Sequence, residues 1–198
     1  MTKSCFVGIA LAAVLAVGCN NTPDRTTSAP GEGGGAPGTA TPPSATADAN
    51  LSEADRTFVQ KAAQSNQLEV EMAKMGQDKA QNEQVKDFAR QLEEDHSDAL
   101  DELQNVARRA NLELDKQEDA ARASMNDKMG NVTGRQFDSQ WISEMIDKHR
   151  QGIADFERQQ ATATGELKSF IDKTLPVMRT HLQRAEELQK QLANTTNP

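Results

Sequence analysis

Residues 81–110 read QNEQVKDFARQLEEDHSDALDELQNVARRA and carry the clearest repeat in the chain. Its apolar positions and one histidine recur in steps of three and four, which is the repeat of one face of an α-helix. The positions on that face are Val85, Phe88, Leu92, His96, Ala99, Leu103 and Val106. Charged and amide residues fill most of the other positions. The pattern therefore predicts a long amphipathic helix with one buried face.

The composition around this stretch is equally typical of helices. From Ser52 onward the chain is rich in Ala, Gln, Glu, Lys, Leu and Met, and it contains no Tyr. Ser52 with Asp55 three residues later predicts a capping box at the start of a helix that ends near Gly76. Further helices are predicted from about 135 to 165 and from 166 to 192, with a short one over 117–129. We predict an all-α domain, a ferritin-like four-helix bundle with a long connection between its second and third main helices.

The same repeat predicts the inward faces of the other main helices. They are Phe58, Ala62, Ser65, Glu69, Met72 and Gly76 on the first, Phe137, Trp141, Met145, His149, Gly152 and Phe156 on the third, and Leu167, Phe170, Ile171, Leu175, Met178, His181, Ala185 and Leu188 on the fourth. All three histidines of the chain fall on inward faces, close to the midpoints of three different helices. We therefore expect His96, His149 and His181 to lie at a similar level in the bundle.

These histidines form a candidate metal site. The first helix carries no histidine, but it places Glu69 inward within about one turn of its midpoint, or roughly 5 Å along the axis. Three imidazoles and a carboxylate suit Zn, Fe, Cu or Mn, and they are costly to bury without a partner. Glu69, His96, His149 and His181 are the predicted ligands, with Asp95 and Glu93 as further candidates for direct or supporting roles.

Two other hypotheses explain the same residues. Inward histidines also occur as core residues that are hydrogen-bonded to a carboxylate or carbonyl, or as a response to pH. A di-iron site needs a second Glu-x-x-His beside Glu93-x-x-His96, and the sequence lacks one. No nucleophile or phosphate-binding motif is present. The sequence leaves an enzymatic activity open but favours a non-enzymatic protein.

The N-terminus predicts export and lipidation. Lys3 precedes an apolar run over 6–17, which is too short to cross a bilayer as a helix but fits a secretory signal. The run ends in Ala-Val-Gly-Cys, which resembles a bacterial lipobox. Residues 1–18 are therefore predicted to be a lipoprotein signal peptide and Cys19 the lipidated residue, the alternative being a plain secreted protein. Asn20 favours the outer membrane, facing the periplasm.

The remaining segments are predicted to be a tether and a tail. Residues 19–50 are rich in Pro, Gly, Ser and Thr and cannot bury enough apolar area to order themselves, and residues 194–198 form a short disordered tail. The folded domain is predicted over 51–193. With Cys5 removed and Cys19 lipidated, no thiol is left for a disulfide. The net charge of −8 excludes the electrostatic attraction that nucleic-acid binding needs.

Several short motifs together resemble a known family. They are Asp55-x-x-Phe58-Val59, Asn66-x-x-Glu69-Val70-Glu71, Val85-Lys86-x-Phe88-Ala89, Asp95-His96, Phe137-Asp138, His149, Leu175-Pro176 and His181-Leu182. The chain resembles the domain of unknown function 4142, DUF4142, over nearly all of residues 53–190. The resemblance implies a ferritin-like bundle, often exported and sometimes lipid-anchored, and it implies no reaction. It also directs attention to Glu69, Asp95, His96, His149 and His181.

Three functions remain open at this point. The first is an envelope lipoprotein that stores, buffers or senses a transition metal. The second is a non-enzymatic envelope interaction or stress-response protein in which the histidines serve only packing. The third, ranked last, is a redox or oxygenase-type enzyme. The sequence specifies neither a protein partner nor the oligomeric state.

Overall fold

The computed structural model of the protein describes residues 50–116 and 119–194. Over these residues the chain forms five helices and no strand: α1 (Glu53–Lys79), α2 (Glu83–Arg109), α3 (Asp119–Met129), α4 (Gly134–Gln160) and α5 (Gly165–Asn194). The all-helical prediction is confirmed. The predicted signal peptide, Cys19 and residues 20–49 of the predicted tether lie outside the described residues, as do residues 195–198 of the predicted tail. Within the described part, no helix combines the length and the apolar character needed to cross a membrane.

Short polar side chains fix where α1 and α2 begin. The Ser52 hydroxyl accepts a hydrogen bond from the Asp55 N–H at 3.1 Å, and the Asp55 carboxylate accepts one from the Ser52 N–H at 3.1 Å. The predicted capping box at α1 is therefore present. Asn82 caps α2 by accepting from the N–H of Gln84 at 2.8 Å and of Val85 at 3.4 Å. These contacts satisfy backbone donors that have no partner within their own helix.

The helices pair as two antiparallel hairpins. Arg56 near the start of α1 donates to the carbonyl of Ala110 at the end of α2, at 3.0 Å. In the other hairpin, Gln189 near the end of α5 donates to Ser143 near the start of α4, at 3.3 Å. The hairpins pack through α1 against α4 and through α2 against α5.

The connection from α2 to α4 runs the length of the bundle. The α2 end lies beside Arg56, whereas Asp138 in the second turn of α4 accepts hydrogen bonds from the α1–α2 turn at the opposite end. The helix α3 lies on this path and is held to α1 by Arg122, whose guanidinium bonds both oxygens of Glu71 at 2.9 and 2.6 Å. As a result, α2 and α4 run in the same direction.

A polar layer divides the core into two apolar clusters. One cluster contains Phe88, Leu92, Trp141, Ile142 and Leu188, together with other residues of the half that holds the α1–α2 turn. The second contains Val59, Leu103, Phe156, Leu167 and Phe170 in the other half. On each of the four long helices, the polar residues of the layer fall between the stretches that belong to the two clusters. The buried polar residues at this level are Asn66, Glu69, His96, His149 and His181.

The predicted inward face of α1 needs one correction. Ser65 was expected to face inward, but it is exposed, and the neighbouring Asn66 is buried at 6% exposure. Phe58 is half-buried, whereas Val59 is fully buried. The buried stripe on α1 is thus wider than the predicted one and includes the next residue around the helix. This difference brings an amide side chain into the polar layer.

Candidate metal centre

The three histidines converge in the middle of the bundle. The ring centroids of His96 and His149 are 5.5 Å apart, those of His96 and His181 are 5.6 Å apart, and those of His149 and His181 are 5.3 Å apart. Each ring places one nitrogen within 4.8 Å of the nitrogens of the other two, and all three side chains are buried. These residues come from α2, α4 and α5, and their proximity confirms the expectation that they lie at a similar level in the bundle.

The proton position on His96 follows from its neighbour. The Asn66 amide nitrogen donates to the Ala62 carbonyl at 2.8 Å, which turns the amide oxygen toward His96. That oxygen lies 2.8 Å from Nδ1 of His96. An amide oxygen only accepts hydrogen bonds, so Nδ1 carries the proton. In the neutral ring the lone pair is then on Nε2, which lies 3.2 Å from Oε2 of Glu69.

The other two rings are held in the same manner. Nδ1 of His149 lies 2.9 Å from the Met145 carbonyl oxygen, to which it donates. Nε2 of His181 lies 2.8 Å from Oδ2 of Asp95 and donates to that carboxylate. In their neutral forms, His149 therefore presents Nε2 and His181 presents Nδ1 as the unprotonated nitrogen. Such outer hydrogen bonds are what fixes the tautomer of metal-binding histidines.

The ring nitrogens that are left without an outer partner have no proton to share when the rings are neutral. Nε2 of His149 and Nδ1 of His181 are 3.2 Å apart, and with neutral rings both would be acceptors. Among the described residues, Nε2 of His96 is the one buried side-chain nitrogen or oxygen without a hydrogen-bond partner. A buried polar atom left in this state is costly. The layer is completed either by an added proton or by a cation.

Glu69 supplies the negative charge of the layer. Its Oε2 atom lies 3.2 Å from Nε2 of His96 and 3.8 Å from Nδ1 of His149, and Oε1 accepts from the Ser65 hydroxyl at 3.1 Å. Burial raises the pKa of Glu69, but the neighbouring His96, His149 and Lys148 and the Ser65 hydroxyl together lower this pKa below its ordinary value. The side chain is therefore an ionised carboxylate beside the histidines.

Burial keeps two of the rings neutral. It lowers the pKa of His149 to about 4, despite the opposing effect of Glu69. Burial also lowers the pKa of His181, despite its hydrogen bond to Asp95. At neutral pH an extra proton is thus disfavoured on both rings, and their inward lone pairs remain available to a cation.

Of the two further candidates, Asp95 lies at the histidines and Glu93 does not. Asp95 is in place as the acceptor behind His181. Glu93 is not brought to the histidines, since its carboxylate contacts Gln77 and Lys74 of α1. Sequence analysis missed Asn66 as a site residue, although it stands one turn before Glu69 and belongs to the motif on which the resemblance rested. That spacing was the available signal.

A cavity of about 490 Å³ reaches the layer from one side. Glu69, Asn66 and His96 line its inner end, and Phe58, Phe156 and Met178 line its walls. His149 and His181 are not among the lining residues. The layer is therefore accessible on the Glu69 and His96 side.

Comparison with protein families agrees with the sequence motifs. The family model for DUF4142, a domain of unknown function, matches residues 40–188. The chain belongs to the DUF4142 family. The match covers all of α1 to α4 and most of α5, so the histidine layer lies within the DUF4142 domain.

A solved structure supports the fold of this DUF4142 domain. The chain is similar to the crystal structure of a DUF305 fragment from Deinococcus radiodurans, with a TM-score of 0.63 and 14% sequence identity. The alignment covers 71% of the DUF4142 chain and 97% of that fragment. At this identity the similarity shows the fold alone. The search of curated proteins gives no match.

Proposed function

We propose that this DUF4142 domain binds one transition-metal ion through His96, His149 and His181. The observation that carries the proposal is the direction of the three rings. Each has one nitrogen occupied by a hydrogen-bond acceptor, so that in the neutral ring the other nitrogen is the unprotonated one. Two donors on one tetrahedral ion at about 2.1 Å are roughly 3.4 Å apart, close to the His149–His181 separation of 3.2 Å.

The donor set narrows the kind of ion. Neutral imidazoles suit Zn, Cu, Fe and Ni rather than Mg or Ca, which prefer oxygen. Glu69 adds one carboxylate close to His96 and offsets part of the charge of a divalent ion. When bound, a divalent ion of this kind supplies a Lewis-acidic centre. The carboxylate also suits Mn, so we propose a site for Zn, Fe, Cu or Mn, the four ions that the sequence also suggests.

The proposal extends to the cellular setting. We propose that the domain is a ferritin-like bundle, supported by two antiparallel hairpins and a connection that spans the bundle. We further propose that Cys19 carries a lipid and that the domain is held at the bacterial envelope, most simply at the outer membrane facing the periplasm. Storage, buffering or sensing of a metal in that compartment needs only the site and the anchor.

Elemental analysis tests the metal site. The full chain is purified from membranes in mild detergent, without an affinity tag or a chelator, beside His96→Ala/His149→Ala and Glu93→Gln. We expect close to one ion per chain in the wild type and in Glu93→Gln, and little in the double variant. Full metal content in the double variant with both histidines removed would overturn the proposal.

A second candidate function rests on the same hydrogen bonds. Because each histidine already has an outer partner, the layer also serves packing, and the protein then acts as a non-enzymatic envelope interaction or stress-response protein. In that case all three preparations are folded and free of metal, and added metal leaves the melting temperature unchanged.

A further inference from the structure

The cavity beside the histidine layer has the character of a small-molecule site. Its volume of about 490 Å³ falls within the roughly 300–1,000 Å³ that is typical of ligand pockets in proteins. Exposed residues such as Lys61 and Arg158 line its outer part, and buried ones line its inner end. A solvent-accessible path therefore leads from the surface to Glu69 and His96.

The walls of the cavity favour an apolar body. Phe58 and Phe156 contact each other edge to face, with ring centroids 4.9 Å apart, and Met178 lies on the α5 side. Gly152 contributes no side chain to the wall, and a Cβ atom there would lie 2.6 Å from Cε of Met178. Aromatic and thioether surfaces adapt well to flat or extended hydrocarbon groups.

The inner end of the cavity favours a ligand group that is negatively charged and can coordinate a metal ion. His96, whose Nε2 has no hydrogen-bond partner among the described residues, lines this end, so an ion bound to that nitrogen would lie beside the cavity. A divalent ion on three neutral histidines keeps a positive charge even beside Glu69, and three protein ligands leave a coordination position for water or another ligand. At the outer part, the basic Lys61 lies in a lining that also contains the acidic Glu53 and Asp155, so the positive charge that attracts an anion is that of the metal at the inner end.

We infer that the cavity binds a small carboxylic-acid-type anion with an aromatic or alkyl body, its carboxylate directed at the metal and its body between Phe58, Phe156 and Met178. This inference rests on the proposed metal site and names the class of molecule that the site recognises. It differs from simple metal storage, in which the cavity holds only water.

Three probe molecules separate the two parts of the inference, which are the coordination of the metal by a carboxylate and the binding of an apolar body in the cavity. 4-Phenylbutyrate has both the donor and the body, acetate has the donor alone, and 4-phenylbutanol has the body without the charge. The full chain loaded with Co²⁺ reports on coordination through its visible absorption, and the chain loaded with Zn²⁺ reports on the cavity through the ¹³C-labelled methyl resonance of Met178. That resonance is assigned by its loss in Met178→Leu.

We expect 4-phenylbutyrate to change both signals. Its affinity should be higher than that of acetate by about tenfold or more, because the phenyl group leaves water. 4-Phenylbutanol is expected to shift the Met178 methyl resonance without changing the Co²⁺ spectrum. Equal binding of 4-phenylbutyrate and acetate, or a Met178 methyl that does not respond, would overturn the inference.

A cavity-filling variant provides the matched test. Ala62 lines the cavity, whereas Ala154 on α4 is exposed and does not. We expect Ala62→Leu to weaken 4-phenylbutyrate binding about tenfold or more, with metal stoichiometry unchanged, and Ala154→Leu to change neither. Binding that survives in Ala62→Leu would exclude the cavity. If Co²⁺ binds stoichiometrically and no probe does, only this inference fails; if Co²⁺ does not bind, the proposed metal site fails and the inference with it.

Discussion

Oδ2 of Asp95 lies 2.8 Å from Nε2 of His181, and this contact joins the surface of the bundle to its buried centre. The Asp95 side chain is 34% exposed, whereas that of His181 is 2% exposed. The carboxylate holds the proton of His181 on the outer nitrogen and so turns the Nδ1 lone pair toward His149. A partly exposed carboxylate thus determines which nitrogen the third ring offers to an ion.

Replacing Asp95 should therefore weaken metal binding without removing a ligand. In Asp95→Asn the side chain keeps its shape but loses the charge that makes His181 a better donor. We expect the affinity to fall by about 10- to 100-fold, as is usual for partners of metal-binding histidines. Competition with a chromogenic chelator at constant pH measures it. Asp98→Asn, the same change at an exposed position on α2, should have no effect, and equal affinities for both variants would contradict this role of Asp95.

The central histidine layer could be predicted from sequence because its spacing is helical. His96, His149 and His181 share faces with apolar residues, and each stands near the middle of a long helix, so any bundle of these helices brings them to one level. Asn66 was not assigned to the site, because an amide next to the expected stripe is equally compatible with an exposed position. Its burial depends on how α1 rotates against α2, which the repeat does not specify.

The hydrogen bonds to the outer nitrogens of the histidines could not be predicted from the sequence. Glu93 and Asp95 both precede His96 closely and looked equivalent, yet one faces Lys74 and the other His181. The difference arises because positions two residues apart on a helix point in different directions. The donor nitrogen of each histidine depends on such partners, so it needed the packed structure.

Burial of His149 predicts a pH dependence of stability. The pKa of His149 is lowered from 6.5 to about 4 in the folded chain, so the unfolded chain binds more protons between these values. Stability is then fully present above about pH 6.5 and is lost as the pH falls toward 4, by on the order of 3 kcal/mol. Urea denaturation of the metal-free chain from pH 7.5 to 4 measures this loss.

The matched variant for this test is His149→Gln, which cannot titrate in that range. The difference in unfolding free energy between the two chains should shrink as the pH falls. His181 titrates with the same sign in both chains, because its pKa is lowered as well. A difference that stays constant from pH 7.5 to 4 would show that His149 is not buried in its neutral form.

Two glycines in the helices should respond differently to alanine. A Cβ atom at Gly76 would lie 2.7 Å from the Trp141 ring, which is itself fixed by donating to the Met72 carbonyl at 2.8 Å. At Gly152 the nearest atom is the flexible end of Met178. We expect Gly76→Ala to destabilise by about 1–2 kcal/mol, since overpacking costs more than the gain of about 1 kcal/mol in helix propensity.

Gly152→Ala serves as the internal comparison. Met178 can move aside, so the gain in helix propensity should leave this variant as stable as the wild type or more stable. Thermal and urea unfolding of both variants measure the difference. If Gly76→Ala is at least as stable as Gly152→Ala, the Trp141 ring is not held where the structure places it.

Asp138 holds the turn between α1 and α2 from the neighbouring hairpin. Its carboxylate is fully buried and accepts from the N–H groups of Gln81 at 2.9 Å and Asn82 at 3.0 Å. Asp138→Ala leaves both donors without a partner, and we expect a loss of about 2–4 kcal/mol. Asp147→Ala, at an exposed position on the same helix, should cost little stability.

Hydrogen exchange measures the local effect of Asp138→Ala. The amides of Gln81 and Asn82 should lose more protection than the fall in global stability accounts for. Protection that is unchanged at both amides would mean that this carboxylate does not join the two hairpins.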